Sequence, residues 1–128
     1  HSADQCAAGA LHAAHAGGIA CAQLHVSLHD AGNYGGKETT GTALFVYGMA
    51  WGVRNGLLDK EEYLPVLLKG WNAMVKEAVH PNGFLGYVQG TGKEPKDGQP
   101  VTYESVPDFE DYGVGCFLLA GTEVYKLQ

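Results

Sequence analysis

Arginine is almost missing from this chain. Arg54 is the only one in 128 residues, and the eight basic side chains face fourteen acidic ones for a net charge of −6. With no cluster of Lys and Arg to neutralise phosphates, nucleic acid is excluded as a partner. A multi-arginine anion clamp is excluded too, although one well-placed cation or a helix N-terminus suffices for a single acidic sugar. Cysteine is scarce: Cys6, Cys21 and Cys116 make an odd number without a CxxC pair, so they build no disulfide framework and read as free thiols in a reduced compartment. That points to the cytoplasm, with the periplasm as the second option. No run reaches the roughly 20 apolar residues of a membrane span. The start has neither a basic n-region nor an apolar stretch, which argues against a signal peptide. It opens on His1 rather than Met, so the true N-terminus is expected upstream, cleaved or engineered. Among catalytic motifs, G-x-S-x-G and HExxH are absent. Gly92-Lys93 does not end a phosphate-binding loop: Tyr87 stands where that motif needs its first glycine and Glu94 where it needs Ser or Thr.

Glycine, by contrast, is plentiful, at 19 residues. Gly41, Gly48 and Gly52, with Ala43 and Ala50, alternate with bulky side chains in one stretch, Glu38 to Gly56, which carries no charge from Thr39 to Val53. Apolar nearly all round, it reads as an inner helix packed on several sides. Thr39 or Thr40 is expected to cap it, with Glu38 placing its charge at the helix dipole; the alternative for Glu38 is a carboxylate at a cleft mouth. Asn55-Gly56 supplies the C-terminal stop. Asp59-x-x-Glu62 is a capping box for an amphipathic outer helix from Lys60 to about Val79, either preceded by a separate short turn or kinked at Pro65. The short link makes the two helices an antiparallel hairpin. Residues 84–89 read as a short strand, residues 90–107 as a long functional or mobile loop, and Tyr112 to Leu127 as a second inner helix. The fold class is all-α, and two apolar inner helices need more cover than one outer helix supplies. A homo-oligomer that covers them is therefore expected.

Residues 1–23 look unlike the rest. An Ala-rich helix through Ala7–Ala16 is expected there, and His12, His15, Cys6 and Cys21 leave open a zinc reading beside that of solvent-facing histidines. The acid/base candidates are Asp30, Glu38, Asp108, Glu110 and Asp111. Trp51 and Trp71 read as core, while Tyr34, Tyr103 and Tyr112, in or beside loops, are the better sugar platforms.

Taken in order, the segments SLHDAGNYGGKETTGTALFVYGMAWGVRNGLLDKEEYLPVLLKGWNAMV, GFLGYVQGTG and DYGVGCFLLAGTEVYKL resemble the C-terminal part of glycoside hydrolase family 105, the unsaturated rhamnogalacturonyl hydrolases, which are related to family 88. The resemblance covers about Leu24 to Leu127. It implies part of an α/α toroid over residues 24–128. It also implies removal of an unsaturated uronic acid from pectin- or glycosaminoglycan-derived oligosaccharides. In that chemistry an aspartate protonates the 4,5 double bond and directs water onto the vinyl ether, and the hemiketal collapses without metal or cofactor. The family's catalytic aspartates lie in segments that residues 1–23 do not match, and Ala22-Gln23-Leu24 stands where the family places Gly-Leu-Trp. No catalytic residue is carried over, and the chain is expected to be a truncated, fused or frame-shifted relative, inactive alone. What carries over is the rim of the cavity: His29, Asp30, Tyr34, Glu38, Thr39 and Tyr112 as contacts for an acidic oligosaccharide.

Overall fold

A computed structural model describes residues 36–94, 96–105 and 111–128. Among them are three helices: α1 (Thr39–Arg54), α2 (Lys60–Glu77) and α3 (Asp111–Tyr125). The three helices expected between Glu38 and Leu127 are there, with ends shifted by at most two residues; the helix expected through Ala7–Ala16 lies outside the described residues.

The cap of α1 is Glu38, neither Thr39 nor Thr40. Its extended backbone (φ −135°, ψ 115°) lets the carboxylate turn back and accept from the amides of Thr40 and Gly41. Two orphan donors at the positive end of the helix are thereby satisfied by a charge. At the other end Gly56 takes the left-handed conformation (φ 70°). The Gly56 amide donates to Val53 O and the Leu57 amide to Gly52 O. This is a Schellman motif, the turn that Asn55-Gly56 foretold. Asp59 then caps α2 by accepting from the Glu62 amide at 2.9 Å. One continuous helix runs through Pro65, with no separate first turn.

α1 buries Thr39, Thr42, Ala43, Val46, Met49, Ala50 and Val53. These positions recur at intervals of three and four, so they form one stripe rather than a helix buried all round. Leu44 and Trp51, on other faces, stay 48% and 42% exposed. Trp51 is thus not the core residue the sequence made it. Trp71 packs against Phe117, its ring stacked at 4.8 Å between centroids.

Ion pairs and turns set the directions. Lys37, just before α1, pairs with Glu77 at the end of α2, and Gly52 near the end of α1 packs on Leu58 just before α2. α1 and α2 are therefore antiparallel. Arg54 Nε, in the last turn of α1, bonds Glu123 Oε2 at 2.8 Å late in α3. Glu38, at the start of α1, and Tyr112, in the first turn of α3, both bond the backbone of Gln89. α1 and α3 are therefore parallel. Two parallel inner helices with an antiparallel outer one between them in sequence make part of an α/α toroid. The core joins Ala43, Val46, Met49, Ala50 and Val53 to Leu67 and Met74 of α2 and to Ala120 and Val124 of α3.

The strand expected at 84–89 is reduced to a single antiparallel bridge between Val79 and Leu85. Beyond Leu85 the backbone groups go elsewhere. Gly86 and Tyr87 offer their carbonyls to Thr39, and Tyr87 turns into the left-handed region (φ 56°).

Candidate functional site

Because α1 and α3 run parallel, their N-terminal ends, with their partial positive charge, lie at one end of the molecule. The segment from Phe84 to Gly90 lies across that end. Thr39 N donates to Tyr87 O at 2.8 Å and Thr39 Oγ1 to Gly86 O at 2.8 Å. The Tyr87 amide goes in turn to Thr102 O at 2.9 Å. Gly86 has no room for a side chain: a Cβ there would stand 2.3 Å from Tyr103 O. Tyr103 itself stacks on His80, with centroids 3.5 Å apart and planes 10° from parallel. His80 Nε2 lies 2.8 Å from Tyr103 O. A carbonyl only accepts, so that nitrogen carries the proton.

Glu38 is the polar centre of this end. Its side chain is nearly enclosed, the residue being 8% exposed. Oε1 accepts from the Thr40 amide at 3.0 Å and, at a longer 3.4 Å, from the Gln89 amide. Oε2 accepts from the Gly41 amide. Tyr112 donates its hydroxyl to Gln89 O from the first turn of α3. Cys116, one turn further on, has its thiol pKa pushed up, first by burial and then by the Glu38 charge. Lys37 combines its Glu77 pair with a place 5.5 Å from the centroid of the Tyr87 ring.

Of the six rim residues expected from the sequence, Glu38, Thr39 and Tyr112 are brought together here. His29, Asp30 and Tyr34 lie outside the described residues, as do Asp108 and Glu110. So do Cys6, His12, His15 and Cys21; among the described residues no group of His, Cys, Asp and Glu is placed to hold a metal. Asp111 is exposed in the first turn of α3. Thr39 has no exposed surface, and both its amide and its hydroxyl are committed to residues 86 and 87. The hydroxyl left over belongs to Thr40: its Oγ1 is buried without a hydrogen-bond partner. Gln89 and Gly86 were missed altogether, and no local signal marks them; only tertiary contact does. Tyr103 is a clamp stacked on His80, not a bare platform.

The single arginine lies at the opposite end of α1. Sixteen residues of α1 separate Glu38 from Arg54's neighbour Asn55 by about 24 Å of helix. There Arg54 and Lys126 share the enclosed carboxylate of Glu123.

Residues 21–128 match Glycosyl Hydrolase Family 88. The chain belongs to that family. It is 37% identical over 102 residues to an unsaturated 3S-rhamnoglycuronyl hydrolase of Formosa agariphila, a match covering 80% of this chain and 25% of the relative. It is 38% identical over 119 residues to a protein of the same name from an Alteromonas species, covering 89% and 27%. Among solved structures it superimposes on a family 88 glycosyl hydrolase from Bacteroides vulgatus with a TM-score of 0.74 at 38% identity, covering 84% of this chain and 30% of the other. The chain spans about a quarter of the length of the curated relatives it matches. The toroid expected from the sequence accords with these likenesses. The family 88 match agrees with a resemblance placed in family 105 and its relative, family 88. No helix among the described residues is long and apolar enough to cross a membrane.

Proposed function

We propose that this chain is a portion of an unsaturated glycuronyl hydrolase of Glycosyl Hydrolase Family 88 and is inactive alone. It supplies part of the rim of a sugar cavity at the shared N-terminal end of α1 and α3. The observation that carries this reading is the residue match over 21–128 to relatives named as unsaturated 3S-rhamnoglycuronyl hydrolases. The physics of the rim supports its second half. The enclosed carboxylate, Glu38, is occupied by backbone amides, which leaves it poorly placed to hand a proton to a vinyl ether. The substrate is an oligosaccharide ending in an unsaturated uronic acid, from pectin or from a rhamnoglycuronyl chain of the kind the relatives are named for. The test is to incubate the purified chain with an unsaturated galacturonyl disaccharide and an unsaturated rhamnoglycuronyl disaccharide, following the absorbance of the double bond. No loss is expected with either. Robust turnover would refute the claim of inactivity.

A second reading is favoured by one observation. Leu118, Leu119 and Tyr125 of α3 are 60%, 49% and 73% exposed, beside Leu44 and Trp51 of α1. A helical domain that self-associates through these faces, with or without sugar binding, accounts for them. Sedimentation at micromolar concentration separates the two: a clean monomer removes the second reading.

A further inference from the structure

One residue of this end, Gln89, is held through both of its backbone polar groups. The Gln89 amide faces Glu38 Oε1, and the Gln89 carbonyl takes the Tyr112 hydroxyl. Glu38 belongs to the start of α1 and Tyr112 to the start of α3, so the two inner helices grip the same link from opposite sides. The residues before it are fitted as closely. A side chain on Gly113 would meet both γ-carbons of Val88 at 2.8 Å, so α3 has room for Val88 only because that position is glycine. Tyr87 carries a left-handed backbone, a conformation that is strained for a bulky residue. Its carbonyl and amide are both bonded, to Thr39 N and Thr102 O. From Gly86 to Gln89 every residue is anchored: Gly86 and Tyr87 by Thr39, Val88 against Gly113, and Gln89 by Glu38 and Tyr112.

We infer that Glu38 and Tyr112 are positioning residues. Through the amide and the carbonyl of Gln89 they clasp the strap 84–90, and with it the turn around Tyr103, across the paired helix ends. Neither turns its own polar group to a sugar. The strap, and the segment that follows it, forms the wall of the rim. The inference rests on the hydrolase reading only in naming a sugar as what the rim meets; the clasp itself is a matter of the fold.

Amide hydrogen exchange on the 128-residue chain tests it, with Tyr112→Phe, Glu38→Gln and the double variant. Tyr112→Phe keeps the ring and removes one hydroxyl. Glu38→Gln keeps the length and replaces one acceptor oxygen by a donor. In each single variant the Gly86 and Tyr87 amides, which bond Ala78 O and Thr102 O, are expected to exchange about tenfold faster. The amides of Met49 to Val53 in mid-α1 should keep their rates. The double variant should lose little more at Gly86 and Tyr87 than either single one, because both side chains act through the backbone of one residue, Gln89. Unchanged strap amides, or acceleration spread evenly through all helices, overturns the clasp.

A fluorescence titration with the unsaturated galacturonyl disaccharide gives the second arm. If wild type binds and a variant abolishes binding while its strap stays protected, the side chain touches sugar and the inference is wrong. If wild type does not bind, the sugar reading suffers, and the exchange data still decide the clasp.

Discussion

Two glycines in the first turns of α3 should answer the same substitution with opposite signs. Alanine is better than glycine in a helix interior by about 1 kcal/mol, through backbone entropy alone. At Gly115 nothing lies within 4 Å of the place an added methyl would take, so Gly115→Ala should collect that gain nearly whole. At Gly113 the same methyl would stand 2.8 Å from both Val88 Cγ1 and Cγ2 and 3.4 Å from Val88 Cβ. Val88 is 3% exposed and packs with Ala78 and Leu85, so it has little room to retreat. Overpacking of this kind costs about 1–3 kcal/mol, which offsets or exceeds the entropic gain. The two variants should differ by about 1–3 kcal/mol, with Gly115→Ala above wild type and Gly113→Ala at or below it. Urea unfolding followed by circular dichroism measures this, given equal slopes. Val88→Ala should relieve Gly113→Ala, so that the pair is less costly than the sum of the singles. The reasoning fails if Gly113→Ala is as stable as Gly115→Ala. A Gly115→Ala that stabilises only at high dilution would carry a different message: that face is covered by another molecule at working concentrations.

Leu67 has no exposed surface and joins α2 to the main core; Leu67→Ala should cost about 2–5 kcal/mol and abolish a cooperative thermal transition in a domain of this size. Glu123 has its pKa held below the ordinary glutamate range, first by the Lys126 hydrogen bond and then by Arg54, against the opposing effect of burial. A lowered folded pKa means that this stabilisation is fully present above the unfolded value of about 4.3 and is lost as pH falls through the folded value. Thermal scans from pH 7 to pH 3 should therefore show a fall that is shallower in Glu123→Gln; identical profiles would remove the ion pair from the account. Cys116, raised by burial and then by Glu38, should alkylate more slowly at pH 8.5 than a free thiol, and Glu38→Gln should recover part of the rate, read by peptide mass spectrometry at that cysteine.

What the sequence made legible was local. A helix stop needs only a residue that tolerates the left-handed region and two carbonyls behind it, and Asn55-Gly56 announces both. The Asp59 cap is as short-ranged. The antiparallel hairpin then follows from the length of the link. The parallel packing of α1 and α3, by contrast, depends on pairs such as Arg54 with Glu123, 69 residues apart, and no periodicity encodes them. The all-round apolar pattern of α1 misled in a specific way. Composition tells what a helix is able to bury, whereas the described residues bury one stripe of it and leave Leu44 and Trp51 open.

The rim shows the same limit more sharply. Thr39, Thr40 and Glu38 all sit in the chemistry of a helix start, and capping statistics favour threonine over glutamate there. The assignment went to Glu38 because Gly86 and Tyr87 arrive from 47 and 48 positions away and take both polar groups of Thr39. Once Thr39 faces the strap, its hydroxyl is no longer available to cap. The carboxylate one residue earlier has the reach to replace it and also to meet Gln89. A single tertiary contact thus reassigns three residues at once: Thr39 to the interior, Glu38 from candidate acid to cap, and Thr40 to the orphaned hydroxyl at the cavity end. The resemblance to the hydrolases pointed to this end of the helix. Which of its polar atoms stay uncommitted is decided by where the strap lies.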